Sequence, residues 1–125
     1  MRVLVCGDRN WTARARLENI LQDMKDRGVL TSVIEGEARG ADSMARDWAL
    51  RAGVPVFRYP ASWNDYGRAA GPIRNSQMLI EGKPEFVVAF HNDLENSKGT
   101  RDMVRKAQAK KVPVRLITLD GEKAL

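Results

Sequence analysis

Three short segments combine glycine with polar or basic side chains, a composition that suits a phosphate-binding turn. They span residues 7–11, 36–42 and 97–100, and each stands between an apolar run and a helical pattern. Glycine lets a ligand approach the backbone, and the free N–H groups at a helix start attract an anion. The segments therefore predict a site for a phosphorylated ligand. The ordinary alternative is a set of tight turns, with Ser97 or Thr100 as a plain helix cap.

Charged side chains near these turns extend the candidate site. Arg39 would add to the second turn a guanidinium group, which can donate two hydrogen bonds to a phosphate. Arg74 shares a helical face with Met78, from which it would reach over the same crevice, although a solvated arginine is equally compatible with the sequence. Asp42 is predicted either to cap a helix or to bind a ribose hydroxyl.

The aromatic and imidazole side chains leave two interpretations open. Trp48 lies in an apolar helical stripe and is predicted to be a core residue, whereas Trp11, Trp63 and Tyr66 lie in loops, where they would stack on a base or pack against the protein. His91 is the single histidine and is interpreted as structural rather than catalytic. With one histidine and one cysteine the chain lacks the side chains for a histidine triad or a histidine–cysteine metal centre, so no metal and no cofactor are expected.

Composition limits the remaining possibilities. The 125 residues suit one domain and carry a net charge of +5. Residues 98–115 contribute +6 of local charge, which favours anionic partners or forms a solvated helix face. Neither a GxGxxG fingerprint nor a P-loop is present. No apolar stretch reaches the roughly 18 residues of a membrane helix, and we expect a cytoplasmic protein with Cys6 as a buried thiol.

The elements that position these residues alternate between strands and helices. Strands are predicted at residues 2–6, 30–35, 54–59, 85–90 and 112–119, and helices at 12–27, 41–52, 72–81 and 99–111. Such alternation predicts a parallel sheet covered by helices on both faces. We expect one domain over residues 1–119 and a short, frayed tail over residues 120–125.

The prolines suggest the order of the strands. Proline is confined to edge strands or strand starts, and Pro55 and Pro113 fall in the third and fifth predicted strands. This favours the order 3-2-1-4-5 in a five-stranded, mainly parallel sheet, an α/β Rossmann-like three-layer sandwich. Ligands bind such sheets at the carboxyl ends of the strands where the winding reverses, here between strands one and four.

Four motifs in order resemble the SLOG superfamily, specifically its small YspA-like (YpsA-related) members. They lie at residues 5–11, 35–42, 70–78 and 98–100, and residues 38–42 and 74–75 also resemble segments of DNA-processing protein A. The resemblance covers nearly the whole chain. It implies a nucleotide-binding Rossmann-like domain, and it makes a homodimer plausible.

The related LOG phosphoribohydrolases carry Pro-Gly-Gly-x-Gly-Thr-x-x-Glu, and this chain departs from that pattern. Gly99 and Thr100 match its Gly-Thr, but Met103 stands at the glutamate position and Asp102 is one residue early, about 100° around a helix. Arg74 matches the helix arginine of those enzymes. If the chain is an enzyme, the resemblance points to Arg74 as the phosphate anchor, and Asp102 or Asp8 would stabilise the oxocarbenium-like sugar or act as the base.

Three functions follow from these observations. The first is binding of a small nucleotide-derived ligand, such as a nucleoside phosphate or an ADP-ribose derivative, for sensing or sequestration. The second is an N-glycosidase of the phosphoribohydrolase type, and the third, less favoured, is nucleic-acid binding through the basic fourth helix. The predicted ligand-binding residues are Gly7, Asp8, Arg9, Trp11, Gly36, Ala38, Arg39, Gly40, Ala41, Asp42, Arg74, Asn75, Lys98, Gly99 and Thr100.

Overall fold

A computed structural model describes residues 1–125 as one α/β sandwich. The strands are β1 (Arg2–Gly7), β2 (Ser32–Glu35), β3 (Val56–Arg58), β4 (Phe86–Phe90), β5 (Val114–Ile117) and β6 (Glu122–Ala124). The helices are α1 (Arg14–Asp26), α2 (Ala41–Arg51), α3 (Trp63–Tyr66), α4 (Ala70–Gly82) and α5 (Lys98–Ala109).

The strands form a single sheet in the order β3-β2-β1-β4-β5-β6. The first five are parallel, and Leu4 of β1 aligns with Ile34 of β2 on one side and Val87 of β4 on the other. The predicted fold class and the order 3-2-1-4-5 are therefore confirmed. The winding reverses between β1 and β4, so the carboxyl ends of these two strands border the expected crevice.

Alternate residues of β1 pack against opposite helical layers. Val3 and Val5 belong to a core cluster with side chains of α1 and α2, which includes Trp48. Leu4 and Cys6 belong to the other cluster, with side chains of α4 and α5. Burial on both faces explains why β1 is a continuous apolar run, as is typical of a central parallel strand.

The prediction that the fifth strand is an edge of the sheet is wrong. Pro55 and Pro113 each stand one residue before their strands, β3 and β5, where the missing N–H costs no ladder hydrogen bond. A proline at a strand start is compatible with either an edge or an interior strand. On its outer side β5 pairs with the antiparallel β6.

The tail is likewise not frayed. Thr118 N–H donates to the Gly121 carbonyl at 2.9 Å and closes the turn into β6. Arg16 of α1 donates to the carbonyls of Thr118 and Gly121 at 2.7 and 2.9 Å, and Arg115 forms an ion pair with Glu122 across the two strands. Prediction missed this strand because it is short and charged.

The predicted aromatic loop between β3 and α4 contains the short helix α3. Trp63 and Tyr66 lie on it and are exposed. A 3₁₀ turn at Gly67–Ala69 then leads into α4, which begins at Ala70, two residues before the predicted start at Pro72. No helix of the chain combines the length and apolar character needed to cross a membrane.

Candidate functional site

A cleft of about 320 Å³ opens at the carboxyl ends of β1 and β4. It is bordered by residues of all three glycine turns and by the first half of α4. The predicted site residues that line it are Gly7, Asp8, Arg9, Ala38, Asp42, Arg74, Asn75, Lys98, Gly99 and Thr100. The fold thus brings together side chains that are far apart in the sequence.

A second pocket of about 330 Å³ adjoins the cleft on the side of β2. Gly36 and Arg39 line this second pocket rather than the cleft, and Arg9, Ala38 and Arg74 line both. The predicted residues therefore divide between two connected spaces, with two arginines at their shared boundary.

The N-terminus of α5 offers free hydrogen-bond donors to the cleft. Ser97 is the N-cap, and its Oγ accepts the N–H of Thr100 at 3.1 Å. The N–H groups of Lys98 and Gly99 have no acceptor within the chain. Free amides at a helix start, with the helix dipole behind them, favour an anion in the cleft.

Three cations surround this donor group without acidic partners. Arg9, Lys98 and Arg74 form no ion pair with an Asp or Glu side chain. Arg74 donates from Nη1 to the Gly36 carbonyl and from Nε to Asn75 Oδ1 at 3.0 Å, which leaves Nη2 without a partner in the chain. The cleft therefore holds three cations outside any salt bridge, together with the carboxyl groups of Asp8 and Asp42.

The turn between β2 and α2 differs, because Asp42 occupies its amides. Asp42 Oδ2 accepts the N–H groups of Gly36 at 3.0 Å and Ala38 at 3.4 Å. Burial raises the pKa of Asp42 to about 6, opposed by the nearby Arg74 charge. The expectation that these two amides hold phosphate is wrong, since a carboxylate already fills them. The remaining oxygen, Oδ1, has no hydrogen-bond partner in the chain.

Gly40 and Ala41 support the site but do not line either space. Gly40 has a φ of +75°, and a Cβ there would collide with the backbone of Asp8 and Arg9. Ala41 is fully buried and donates its N–H to the Asp8 carbonyl at 3.2 Å. Both small residues thus allow the first two turns to pack together, which corrects their assignment as ligand contacts.

A buried carboxyl group below this turn was not singled out by the sequence. Glu35 ends β2 with no exposed surface, accepts the Glu37 N–H on Oε1 at 2.6 Å, and leaves Oε2 without a partner. Burial, reinforced by the Glu37 carboxylate, raises its pKa to about 9. Arg46 and Arg58 pair with Glu37, and the adjacent Glu35 carboxyl, followed by these arginines, lowers the pKa of Glu37. Glu35 is therefore neutral beside an ionised Glu37.

Asp8 and His91 face each other on the opposite wall of the cleft. His91 Nδ1 accepts the N–H of Asp93 at 2.9 Å, so in the neutral ring Nε2 carries the proton. Nε2 lies 4.0 Å from Asp8 Oδ2, and Asp8 Oδ1 accepts the N–H of Asn10 at 2.9 Å. The Asp8 carboxylate is held in place beside the glycine turn and retains acceptor capacity for a ligand hydroxyl.

The prediction that Trp11 stacks on a base is wrong. Its side chain is only 3% exposed and packs edge-on against Phe90, with ring centroids 5.6 Å apart. Its indole N–H donates to the Ala13 carbonyl at 3.1 Å, which satisfies the polar atom inside the core. The aromatic residue that borders the second pocket is Trp63.

The cleft also contains residues outside the predicted set, namely Cys6, Asn10, Met78, His91 and Ser97. Cys6 is the penultimate residue of β1 and His91 directly follows β4, so their position near a strand end was the available signal. Burial raises the pKa of the Cys6 thiol well above its usual range, in agreement with the predicted buried thiol. No group of three or more His, Cys, Asp or Glu side chains is arranged to hold a metal ion.

Comparison with known proteins identifies the family to which this arrangement belongs. The sequence profile of the YspA, cpYpsA-related SLOG family matches residues 1–66, which contain the first two glycine turns and Trp63. The chain belongs to this SLOG family. It is also 35% identical over 119 residues to the Gene 61 protein of Mycobacterium phage D29, covering 90% of this chain and 93% of that protein. The YspA-like SLOG resemblance is thus confirmed, by a match that contains the first two of the four sequence motifs.

Within this SLOG domain the predicted catalytic carboxylate, Asp102, does not line the cleft. It lies one helical turn behind the start of α5, where Asn75 Nδ2 and Lys106 Nζ both approach its Oδ2 at 3.0 Å. Asn75 also donates to the Gly99 carbonyl at 3.2 Å. Asp102 therefore connects α4 to α5, and a catalytic role for it remains a prediction.

Proposed function

We propose that the cleft binds a small, phosphorylated, nucleotide-derived ligand, and that the protein senses or sequesters it. The observation that carries this proposal is the set of unneutralised donors around one cavity. The N–H groups of Lys98 and Gly99 lack acceptors, and Arg9, Lys98 and Arg74 lack acidic partners. A phosphate group supplies the acceptor oxygens and the negative charge that these groups require.

The other walls of the cleft suit the sugar of such a ligand. Asp8 is held by Asn10 N–H on one oxygen, and Asp42 keeps Oδ1 without a partner. Carboxylate oxygens accept hydrogen bonds from ribose hydroxyls. Membership of the SLOG family supports the same class of ligand, because nucleotide-related ligands are expected of that family.

The geometry supports binding better than hydrolysis. Asp102 is engaged by Asn75 and Lys106 behind the helix start. Met103, at the position of the glutamate of the LOG enzymes, is fully buried. We therefore expect no free base to be released from AMP, a result that chromatography of the reaction mixture measures.

Isothermal titration calorimetry against AMP, ADP-ribose and cyclic dinucleotides tests the proposal. We expect saturable binding of at least one of them, weakened by added salt because charge pairing drives it. Lys98→Ala should lower the affinity several-fold, whereas Lys110→Ala, which removes an equal charge at the far end of α5, should not. The absence of binding heat with every nucleotide, from folded protein, would refute the proposal.

A further inference from the structure

The second pocket has a different chemical character from the cleft that it joins. Trp63, Pro60 and Ala61 give it an apolar wall, opposite the turn at residues 36–39. Trp63 is 49% exposed, unusual for so large a ring, and it was not used in assigning the phosphate site. An exposed indole beside a cavity presents a flat surface to a planar ligand group.

Arg9 connects the two spaces. Its Cζ lies 5.6 Å from the centre of the Trp63 ring, within the range of a cation–π contact. The same side chain lines the phosphate cleft. A ligand whose phosphate lies in the cleft therefore meets the Arg9–Trp63 pair as it extends past the boundary between the two spaces.

The pocket also contains a carboxylate, alongside three arginines. Glu37 lines it, and its pairing with Arg46 and Arg58 keeps it ionised. A carboxylate accepts hydrogen bonds from ring N–H and amino groups, which a base has and a plain sugar phosphate lacks. An apolar wall facing an anionic acceptor matches the face and the polar edge of a nucleobase.

We propose that this second pocket is the base subsite, with Trp63 as its stacking residue, so that the ligand is a nucleotide carrying an aromatic base rather than a plain sugar phosphate. The inference rests on the proposed function, because it takes the phosphate to occupy the neighbouring cleft. Glu37 accepts a hydrogen bond from the edge of the base, and Arg9 spans the base and phosphate positions.

Tryptophan fluorescence and calorimetry together test the proposal, since the other two tryptophans are internal references. Trp11 and Trp48 are each 3% exposed, so a bound base reaches only Trp63. We expect AMP, but not ribose 5-phosphate, to quench the emission, and the quenching to disappear in Trp63→Phe. Base–aromatic stacking supports an expected loss of about tenfold in AMP affinity for Trp63→Ala, with Trp63→Phe retaining most of it.

Tyr66→Ala is the matched control, since Tyr66 is 54% exposed on the same short helix but does not line the pocket. It should leave AMP affinity unchanged, and Trp63→Ala should leave ribose 5-phosphate affinity unchanged. Equal AMP affinities for Trp63→Ala and the parent protein would overturn the base subsite while leaving the phosphate site intact. Equal affinities for ribose 5-phosphate and AMP would also overturn it. Failure of the folded parent protein to bind ribose 5-phosphate, AMP, ADP-ribose or cyclic dinucleotides would overturn both proposals.

Discussion

The turn before α2 and the turn before α5 both combine glycine with a helix start, yet they use their amides differently. In the first, Asp42 accepts the N–H groups of Gly36 and Ala38. In the second, Ser97 accepts only that of Thr100, and those of Lys98 and Gly99 remain free. We call the first the closed turn, because the protein's own carboxylate occupies its amides, and the second the open turn, because its amides are available to a ligand. A glycine turn marks where an anion site can form, and the neighbouring side chains decide whether it does.

The largest expected effect comes from breaking the closed turn at Gly40. Gly40→Ala places a Cβ against the backbone of Asp8 and Arg9 at a φ of +75°. Conformational strain and overpacking together should lower the free energy of unfolding by about 3 kcal/mol, as measured by urea denaturation.

Two other glycines separate the causes of that loss. Gly53 has a similar φ of +70° with nothing within 4 Å of an added Cβ, so Gly53→Ala should cost only about 1 kcal/mol. Gly99 has an ordinary φ and equally open surroundings, so Gly99→Ala should leave stability nearly unchanged. Equal losses at Gly40 and Gly53 would show that close packing of the two turns contributes nothing.

Removing the carboxylate that closes the first turn should have the next largest effect. Asp42→Ala leaves the N–H groups of Gly36 and Ala38 without an acceptor in a partly buried site. We expect a loss of about 2 kcal/mol in the free energy of unfolding. Asp42→Asn keeps an acceptor oxygen and should cost clearly less, so comparable losses for the two variants would contradict this explanation.

The closed turn should also make stability depend on pH through Glu35. The folded chain retains its proton up to about pH 9, whereas the unfolded chain releases it near the ordinary pKa of 4.5. The contribution of Glu35 to the free energy of unfolding is therefore complete below pH 4.5. It falls as the pH rises towards 9, by up to about 1.4 kcal/mol per pH unit. Urea denaturation between pH 6.5 and 8.5 measures this loss of stability. Asp42, with its pKa of about 6, titrates mainly below that range.

Glu35→Gln should flatten this dependence, because glutamine keeps the acceptor for the Glu37 N–H without titrating. Glu95→Gln is the control, because Glu95 is exposed and follows β4 rather than β2. It should leave the pH dependence of the free energy of unfolding unchanged. A slope that Glu35→Gln does not change would show that another group dominates it.

The open turn is tested by removing one donor without unfolding the helix. Lys98 is the first residue of α5, and Ser97 before it has the extended conformation that a following proline requires. Lys98→Pro should therefore leave the free energy of unfolding unchanged. It should lower AMP affinity about five- to tenfold more than Lys98→Ala does, because proline also removes the N–H that donates to the charged phosphate. If Lys98→Pro and Lys98→Ala bind AMP equally well, the amide does not contribute.

Periodicity was sufficient to predict most of the fold. The continuous burial of β1 and the helical stripe containing Trp48 are signals that strong packing imposes directly on the sequence. The strand β6 gave no such signal, because three exposed residues stabilised by Arg16 and Arg115 depend on tertiary contacts. The prolines indicated strand starts but did not distinguish an edge from an interior strand.

Prediction of the site was limited by hydrogen bonding rather than by location. Strand ends and turns located the cleft, but the sequence could not show that Asp42 fills the amides of its own turn. It also could not show that Trp11 turns into the core while Trp63 faces a pocket. Both depend on side-chain directions that are set by the packed structure.

Amide NMR of the ¹⁵N-labelled protein, titrated with ribose 5-phosphate, tests the central claim most directly, because this ligand carries no base to enter the second pocket. If the start of α5 is the open phosphate site, the largest shifts should appear at the Lys98 and Gly99 N–H groups, and those of Gly36 and Ala38 should change less. Shifts concentrated at Gly36 and Ala38, with Lys98 and Gly99 unchanged at saturating ribose 5-phosphate, would contradict the account.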